Sequence, residues 1–342
     1  MTDSSRTFHR IAVIGAGAWG TALAAHLARK SLSVTLWAHE PEVAQSIRSE
    51  RENRLFLPGF ILPGTLTATH SLAEALEGTE VLVFAVPSHA ARSVLSRIGE
   101  GGHPARPVIS ATKGIEEGSF ELMSEVVTRG WLRDHPDLLT VLSGPSFAGE
   151  VAKELPTAVA LAGSDRDLVR DLQTMLMTSR FRVYGSSDVV GVQLGGALKN
   201  VMALAAGVVD GLGLGHNARA ALITRGLAEI IRLGQAMGAD PRTFYGLSGV
   251  GDLVLTSTGP ASRNHQVGLR LGQGERLADI LDGMQAVAEG VRTAGAALGL
   301  ARRHQVDMPI VREVCAVLFE GKSCSRAVSD LMERGAKEEV VC

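Results

Sequence analysis

Short runs of apolar, mostly β-branched residues recur through the first half of the chain, separated by segments with helical spacing. Leu23 and Leu27, for example, are four residues apart, as on one face of a helix. Alternation of buried runs with such helices is typical of a parallel sheet with helical crossovers. The pattern predicts strands over residues 11–14, 34–37, 81–86, 108–111, 139–143, 157–161 and 181–184.

The strand pattern ends after about Asp188, and helical spacing dominates the remainder. Residues 194–209, 218–237 and 311–319 carry long helical patterns, and Gly238 followed by Asp240 and Pro241 marks one helix end and the next start. We therefore predict an α/β doubly wound (Rossmann-type) N-terminal domain, residues 1–190, followed by an all-α C-terminal domain, residues 191–342.

A glycine motif, G-x-G-x-x-G, lies between the first predicted strand and the first predicted helix. In this context Gly15 permits a tight turn, Gly17 lets the backbone approach a pyrophosphate, and Gly20 allows close packing of the helix. Free N–H groups at the helix start would meet the phosphates. The motif predicts a dinucleotide site, with a simple tight turn as the alternative.

The choice between NAD and NADP stays open in the sequence. The second strand ends at Trp37, and an NAD-specific site would offer an acidic residue to the ribose there. Glu40 could take that role, or His39 could stack on adenine or contact a 2′-phosphate. Both could equally be solvated turn residues.

Charge and composition limit the classes of partner that the protein is expected to bind. A net charge of −2 argues against a nucleic-acid surface and favours small molecules. The chain shows no apolar leader and no uninterrupted apolar span of about 18 residues, so we expect a cytoplasmic protein without stable membrane insertion. Cys315, Cys324 and Cys342 have no metal-ligand spacing, and we expect neither a disulfide nor a metal.

Only six of the 34 basic residues are lysines, and two of them lie among small and apolar residues. These are Lys113 and Lys199. Gly195 and Gly196 lie one helical turn before Lys199, and glycine costs about 1 kcal/mol in a helix interior. By spacing alone, the glycines either allow close helix packing or clear space for a flat ligand beside the amine. Together with the glycine loop and the further motifs described below, we expect them to clear space for nicotinamide and substrate.

Several motifs, in order along nearly the whole chain, resemble those of the bacterial NAD(P)-dependent sn-glycerol-3-phosphate dehydrogenases. They are residues 15–20, 111–114 (ATKG), 143–148 (SGPSFA), 195–200 (GGALKN), 249–253 (GVGDL), 262–264 (SRN), 285–290 (QAVAEG) and 308–310 (MPI). Ala18 and Ala288 depart from the commoner residues of that family, away from the proposed chemistry.

The resemblance implies interconversion of dihydroxyacetone phosphate and sn-glycerol 3-phosphate, which supplies phospholipid synthesis, with NAD or NADP as cofactor. It implies that Lys199 is the proton acceptor. The implied substrate contacts are Lys113, Gly144, Ser146, Lys199, Asp252, Ser262, Arg263 and Asn264. The implied cofactor contacts are Gly15, Gly17, Trp19, Gly20, His39, Lys113, Ala148, Arg263, Val287 and Glu289.

The residue types suit this chemistry. Ser262 predicts a helix N-cap, and the helix start with Arg263 suits a phosphate. An unperturbed lysine is neutral in only about 1 in 2,000 molecules at pH 7, so a base at position 199 needs a lowered pKa, which burial, Lys113 and Arg263 would favour. Asp252 would oppose that drop if it paired with the lysine, so we expect it to orient groups instead.

Weaker candidates and rival functions remain. His216 and His265 are expected beside a turn or a solvated helix start. A 3-hydroxyacid or 6-phosphogluconate-type dehydrogenase also pairs a dinucleotide domain with a helical domain bearing a lysine. A dinucleotide-sensing regulator is a non-enzymatic alternative. The apolar helical half makes a homodimer the expected assembly.

Overall fold

The computed structural model describes residues 6–284, 288–336 and 338–339. These residues divide into two units. One contains the chain up to Thr112 together with Met123–Val189, and the other contains Lys113–Leu122 and the chain from Val190 onward. The short segment Lys113–Leu122 therefore lies within the first predicted domain in sequence but packs with the second unit.

The first unit is built on an eight-stranded sheet. Its strands are β1 (Arg10–Ile14), β2 (Ser33–Trp37), β3 (Leu66–Thr69), β4 (Val81–Phe84), β5 (Val108–Ser110), β6 (Leu139–Ser143), β7 (Thr157–Gly163) and β8 (Phe181–Ser186). Its helices are α1 (Ala18–Arg29), α2 (Pro41–Glu50), α3 (Leu72–Leu76), α4 (Ser88–Glu100), α5 (Met123–Gly130), α6 (Ala148–Ala152) and α7 (Arg166–Leu176), with a 3₁₀ turn at Pro136–Leu138.

The strand order is β3-β2-β1-β4-β5-β6-β7-β8, and the order reverses at β1. Successive residues of β1 face opposite sides: Ile11 and Val13 join one buried cluster, while Ala12 and Ile14 join another. Burial on both faces explains the uninterrupted apolar runs. The order is that of a doubly wound fold, which binds ligands at the carboxyl ends of the strands near the reversal.

The sheet corrects the sequence prediction in two respects. β3 was not predicted, and the sheet is mixed, because β7 runs antiparallel to β6 while β8 runs parallel to β7. All seven predicted strands are present. The predicted fold class, a Rossmann-type domain followed by a helical domain, is confirmed.

The second unit is helical in the residues that the structure describes. Its helices are α8 (Val189–Gly211), α9 (Gly215–Ala236), α10 (Asp252–Thr258), α11 (Arg263–Gly272), α12 (Leu277–Asp282), α13 (Glu289–Arg303), α14 (Pro309–Phe319) and α15 (Cys324–Met332). A 3₁₀ turn at Pro241–Tyr245, capped by Asp240, leads into a π-helical turn at Leu247–Gly251.

Helix α8 is a long and largely buried helix of this unit. It is long and apolar enough to cross a membrane by length and composition, yet 89% of its most apolar window is buried inside the structure. Such burial is typical of a core helix. The side chains of Leu194, Leu198 and Val201 are all buried in the core of the unit. Lys199 and Asn200 are thereby carried into the protein interior.

Candidate functional site

The glycine loop between β1 and α1 is shaped by close backbone contacts. Gly15 has φ +113°, and a Cβ there would lie 2.6 Å from the carbonyl oxygen of Ala85. A Cβ on Gly20 would lie 1.9 Å from the carbonyl oxygen of Gly15. Only glycine fits at these two positions, because any side chain would collide with backbone.

Gly17 has a different environment. No atom lies within 4 Å of its Cβ position, and it precedes α1 without a side-chain cap and without an acidic residue in the first turn of the helix. The first N–H groups of a helix have no partner within it and attract anions. The loop therefore fits the pyrophosphate of a dinucleotide.

Three further predicted cofactor residues lie in the same unit. The indole Nε1 of Trp19, in the first turn of α1, is buried with no hydrogen-bond partner among the described residues. The exposed ring of His39 meets the Trp37 ring edge to face, with centroids 6.0 Å apart. Ala148 begins α6 and is partly buried. Val287 lies outside the described residues.

Gly144 and Ser146 form a tight turn after β6. Gly144 has φ +143°, and a Cβ there would lie 2.9 Å from the Cα of Val159. The hydroxyl of Ser146 donates to the carbonyl oxygen of Gly144 at 2.9 Å. The turn follows the carboxyl end of a strand, the edge where ligands bind in this fold.

In the second unit, one carboxylate joins the two lysines singled out in the sequence. Asp252, at the start of α10, is fully buried; its Oδ2 accepts from Lys113 Nζ at 2.8 Å, and its Oδ1 accepts from Lys199 Nζ. This pairing corrects the expectation that Asp252 would orient groups without pairing with Lys199. Thr256, one turn further along α10, donates to the same Oδ1 at 3.4 Å and is a site neighbour that the motifs missed.

The electrostatics of this triad favour a titratable amine. Burial lowers the pKa of Lys199 to about 7, and the neighbouring charge of Lys113 acts in the same direction, while Asp252 opposes both. Desolvation outweighs the ion pair because the buried ammonium has lost its hydration. A lysine with a pKa near 7 exchanges a proton readily at neutral pH.

Gly195 serves helix packing, contrary to the idea that it clears space for a ligand. A Cβ there would lie 2.3 Å from the carbonyl oxygen of Ser248 in the π-helical turn Leu247–Gly251. Because that turn leads directly into Asp252, the contact fixes Lys199 on α8 against its carboxylate partner. π-helical turns are frequent at functional sites.

The predicted phosphate-binding residues surround the start of α11. The hydroxyl of Ser262 accepts from the backbone N–H of His265 at 3.2 Å, which confirms the predicted N-cap. Asn264 is buried, and its Oδ1 accepts from Gly290 N at 2.9 Å, next to Glu289 at the start of α13. Arg263 is exposed at the helix start, where an anion is favoured.

His265 corrects a second expectation. It is buried instead of solvated, and its Nε2 bonds to Asp210 Oδ2 at 2.8 Å. His216 is exposed and bonds to Arg219. Neither histidine contacts the lysine triad through any hydrogen bond that the structure describes. Within the described ranges, no group of three or more His, Cys, Asp or Glu residues could hold a metal ion.

Comparisons with known proteins cover nearly the whole chain. The family described as NAD-dependent glycerol-3-phosphate dehydrogenase N-terminus matches residues 10–169, and the corresponding C-terminus family matches residues 188–329. A glycerol-3-phosphate dehydrogenase [NAD(P)+] from Geobacter metallireducens is 54% identical over 330 residues, which are 96% of this chain and 98% of the relative.

Solved structures agree with the sequence relatives. A glycerol-3-phosphate dehydrogenase from Coxiella burnetii is 41% identical with a TM-score of 0.90, covering 96% of this chain and 99% of the other. The Saccharomyces cerevisiae enzyme is 28% identical with a TM-score of 0.81, covering 96% and 100%. By its matched motifs, its fold and these relatives, the chain belongs to the NAD-dependent glycerol-3-phosphate dehydrogenase family.

Proposed function

We propose that this protein interconverts dihydroxyacetone phosphate and sn-glycerol 3-phosphate with NAD or NADP. The observation that carries the proposal is the buried Lys199 amine, held by Asp252 beside Lys113, where burial lowers its pKa. Relatives that match 96% of this chain are named glycerol-3-phosphate dehydrogenase [NAD(P)+]. They disfavour the hydroxyacid and 6-phosphogluconate alternatives.

The first unit would hold the dinucleotide. The loop Gly15, Gly17 and Gly20 and the start of α1 would bind the pyrophosphate, with Trp19, His39 and Ala148 as further contacts. When bound, the cofactor supplies the hydride acceptor or donor for the substrate carbon. The family resemblance assigns four further cofactor contacts, which are Lys113, Arg263, Val287 and Glu289.

Lys199 would move the proton. In the oxidative direction its neutral amine accepts the proton of the substrate alcohol, and in the reductive direction the ammonium returns it to the ketone oxygen. The lowered pKa of this buried amine makes the neutral form accessible near neutral pH. Asp252 holds both lysines in place, and Lys113 lowers the pKa of Lys199 while offering a second N–H donor.

Ser262, Arg263 and Asn264 would bind the phosphate, with Gly144 and Ser146 as the contacts assigned in the first unit. The guanidinium of Arg263 can give two parallel N–H bonds to phosphate oxygens. The buried Asn264 and the Ser262 cap fix the turn from which that arginine projects.

We assign residues 1–190 as the dinucleotide-binding domain and 191–342 as the helical substrate-binding and catalytic domain, with Lys113–Leu122 joining the latter. The proposed setting is the cytoplasm, and the proposed role is supply of glycerol phosphate for phospholipid synthesis.

We also propose a homodimer. The helical unit carries a groove of about 1630 Å³, lined largely by apolar side chains of α8, α9, α14 and α15. Large apolar surfaces on a monomer mark interaction sites. Light scattering should give twice the 36.0 kDa mass of one chain, and a single-chain mass would exclude the dimer.

The deciding assay is oxidation of NADH and of NADPH driven by dihydroxyacetone phosphate. Dihydroxyacetone, which lacks the phosphate, and a 3-hydroxyacid assayed in the oxidative direction are the matched controls. Turnover that requires the phosphate group supports the proposal. Absence of turnover with both cofactors would refute it. The ratio of kcat/KM values for the two cofactors then gives their preference.

A further inference from the structure

Helices α8 and α11 cross so closely that their backbones are in contact at glycine residues. A Cβ on Gly207 would lie 2.1 Å from the carbonyl oxygen of His265, and one on Gly268 would lie 2.0 Å from that of Leu204. Gly211 and Gly272, one turn further along each helix, repeat the pattern at 2.2 and 2.7 Å. Two pairs of glycines spaced by four residues therefore form a rigid crossing, since a crossing at backbone contact cannot slide or tilt without collision.

Two hydrogen bonds to the Asp210 carboxylate lie at the same crossing. The Nε2 of His265, in the first turn of α11, bonds to Asp210 Oδ2 near the end of α8 at 2.8 Å. Arg219 of α9 donates to the same oxygen at 2.8 Å. Because the carboxylate oxygen only accepts, Nε2 of His265 is the donor of its bond to Asp210. The buried Nδ1 has no hydrogen-bond partner among the described residues.

A hydrogen bond from α13 also reaches the first turn of α11. Asn264 Oδ1 accepts from Gly290 N, and a Cβ on Gly290 would lie 2.6 Å from the carbonyl oxygen of Asn200. Asn200 is the neighbour of Lys199 on α8. The start of α11 is thus held to α8 on one side by His265 and on the other through α13.

We propose that His265 and Asp210 are positioning residues that set the phosphate-binding start of α11 against the helix that carries Lys199. This inference rests on the proposed function. The phosphate and the reacting carbon belong to one small molecule, so an error of about 1 Å between the two helices weakens phosphate contact or misplaces the carbon at the amine. Neither residue touches the reacting atoms.

The test compares three substitutions of His265 in the full-length enzyme. His265→Ala removes both the ring and its hydrogen bond to Asp210. His265→Phe keeps a ring of similar volume without the hydrogen bond. His265→Gln keeps an N–H donor of similar reach. We expect Ala and Phe to raise the KM for dihydroxyacetone phosphate about tenfold, the effect of losing one hydrogen bond from the start of α11 to the charged phosphate. The KM for NADH should rise less, because Arg263 is only one of several assigned cofactor contacts. The Gln variant should recover most of the wild-type KM. His304→Ala, a histidine substitution at the end of α13, is the matched control and should behave as wild type.

The competitive inhibition constant of inorganic phosphate gives an independent reading. It should rise with the KM in the Ala and Phe variants, because both report phosphate binding. Unchanged constants in the Phe variant, or equal losses in Phe and Gln, would overturn the proposal. Should Ala unfold, as shown by loss of its cooperative thermal transition, the Phe and Gln pair decides alone. Inactive wild-type enzyme would refute the proposed function, whereas active wild type with unaffected variants refutes only this inference.

Discussion

Replacing Gly195 by alanine tests whether the helix–turn contact holds the lysine triad together. The new methyl carbon would lie 2.3 Å from the carbonyl oxygen of Ser248, about 1 Å inside ordinary contact. The obstacle is backbone, so α8 or the π-helical turn must move. Overpacking of this kind costs about 1–3 kcal/mol, which outweighs the gain in helix propensity of about 1 kcal/mol in most of that range.

The same displacement would separate Lys199 from Asp252, because each lies within about one turn of the collision. A shift of about 1 Å at a catalytic group can cost about a hundredfold in rate. We therefore expect Gly195→Ala to lower kcat by ten- to a hundredfold and the melting temperature by up to about 5 °C.

Gly295→Ala is the matched control. Gly295 lies on the exposed face of α13, and its Cβ would meet only the Phe319 ring at 3.8 Å, an ordinary contact. This variant should be fully active and up to about 1 kcal/mol more stable. Thermal unfolding and steady-state kinetics of both variants measure the contrast. Equal stability and activity of the two would refute a packing role for Gly195.

Three further outcomes are expected. Lys199→Arg should retain NADH binding, measured by fluorescence titration, but lose at least about a hundredfold in turnover; near-normal turnover would remove the lysine from the mechanism. Because the pKa of Lys199 is about 7, kcat/KM for reduction should fall as pH rises through about 7, and that for oxidation should rise; limbs with the same sign would contradict its role. Burial raises the pKa of Glu229 to about 7 despite N–H bonds from Ile310 and Val311, so its stabilising contribution is present below pH 4.5 and lost as pH rises through 7. Glu229→Gln should therefore gain up to about 3 kcal/mol relative to wild type between pH 5 and 8 in denaturant titrations, and a gap independent of pH would count against the assignment.

The strands and helices were readable from the sequence where burial is nearly complete on a face. The apolar runs of β1 and β4 and the helical spacing of α8 record burial directly. β3 (Leu66–Thr69) is short, and threonines at two of its four positions leave no apolar run. The reversal at β7 could not be read, because an apolar run records burial and carries no strand direction.

The sequence predicted which residues belong to the candidate site. It did not predict the contacts between them. The motifs named Lys113, Lys199 and Asp252, but one carboxylate bridging two lysines is a fact of three-dimensional proximity across segments distant in sequence. The expectation that Gly195 clears space for a ligand was wrong, because its packing depends on Ser248, a residue distant in sequence. His265 follows a helix cap, a position typical of solvated residues, and its burial depends on the glycine crossing with α8.

The segment Lys113–Leu122 has a consequence for how the protein is made. Its contacts include the Arg303 guanidinium, which donates to the carbonyl oxygen of Ser119 and lies over the Phe120 ring, across 184 residues of chain. At a synthesis rate of about 5–20 residues per second, the segment emerges roughly 10–40 s before these partners exist. The helical unit therefore completes its core only near the end of translation, and a fragment starting at residue 191 would lack both Phe120 and Lys113. Separate expression of the two halves should yield a helical half with an unfilled core, whatever the quality of its own helices.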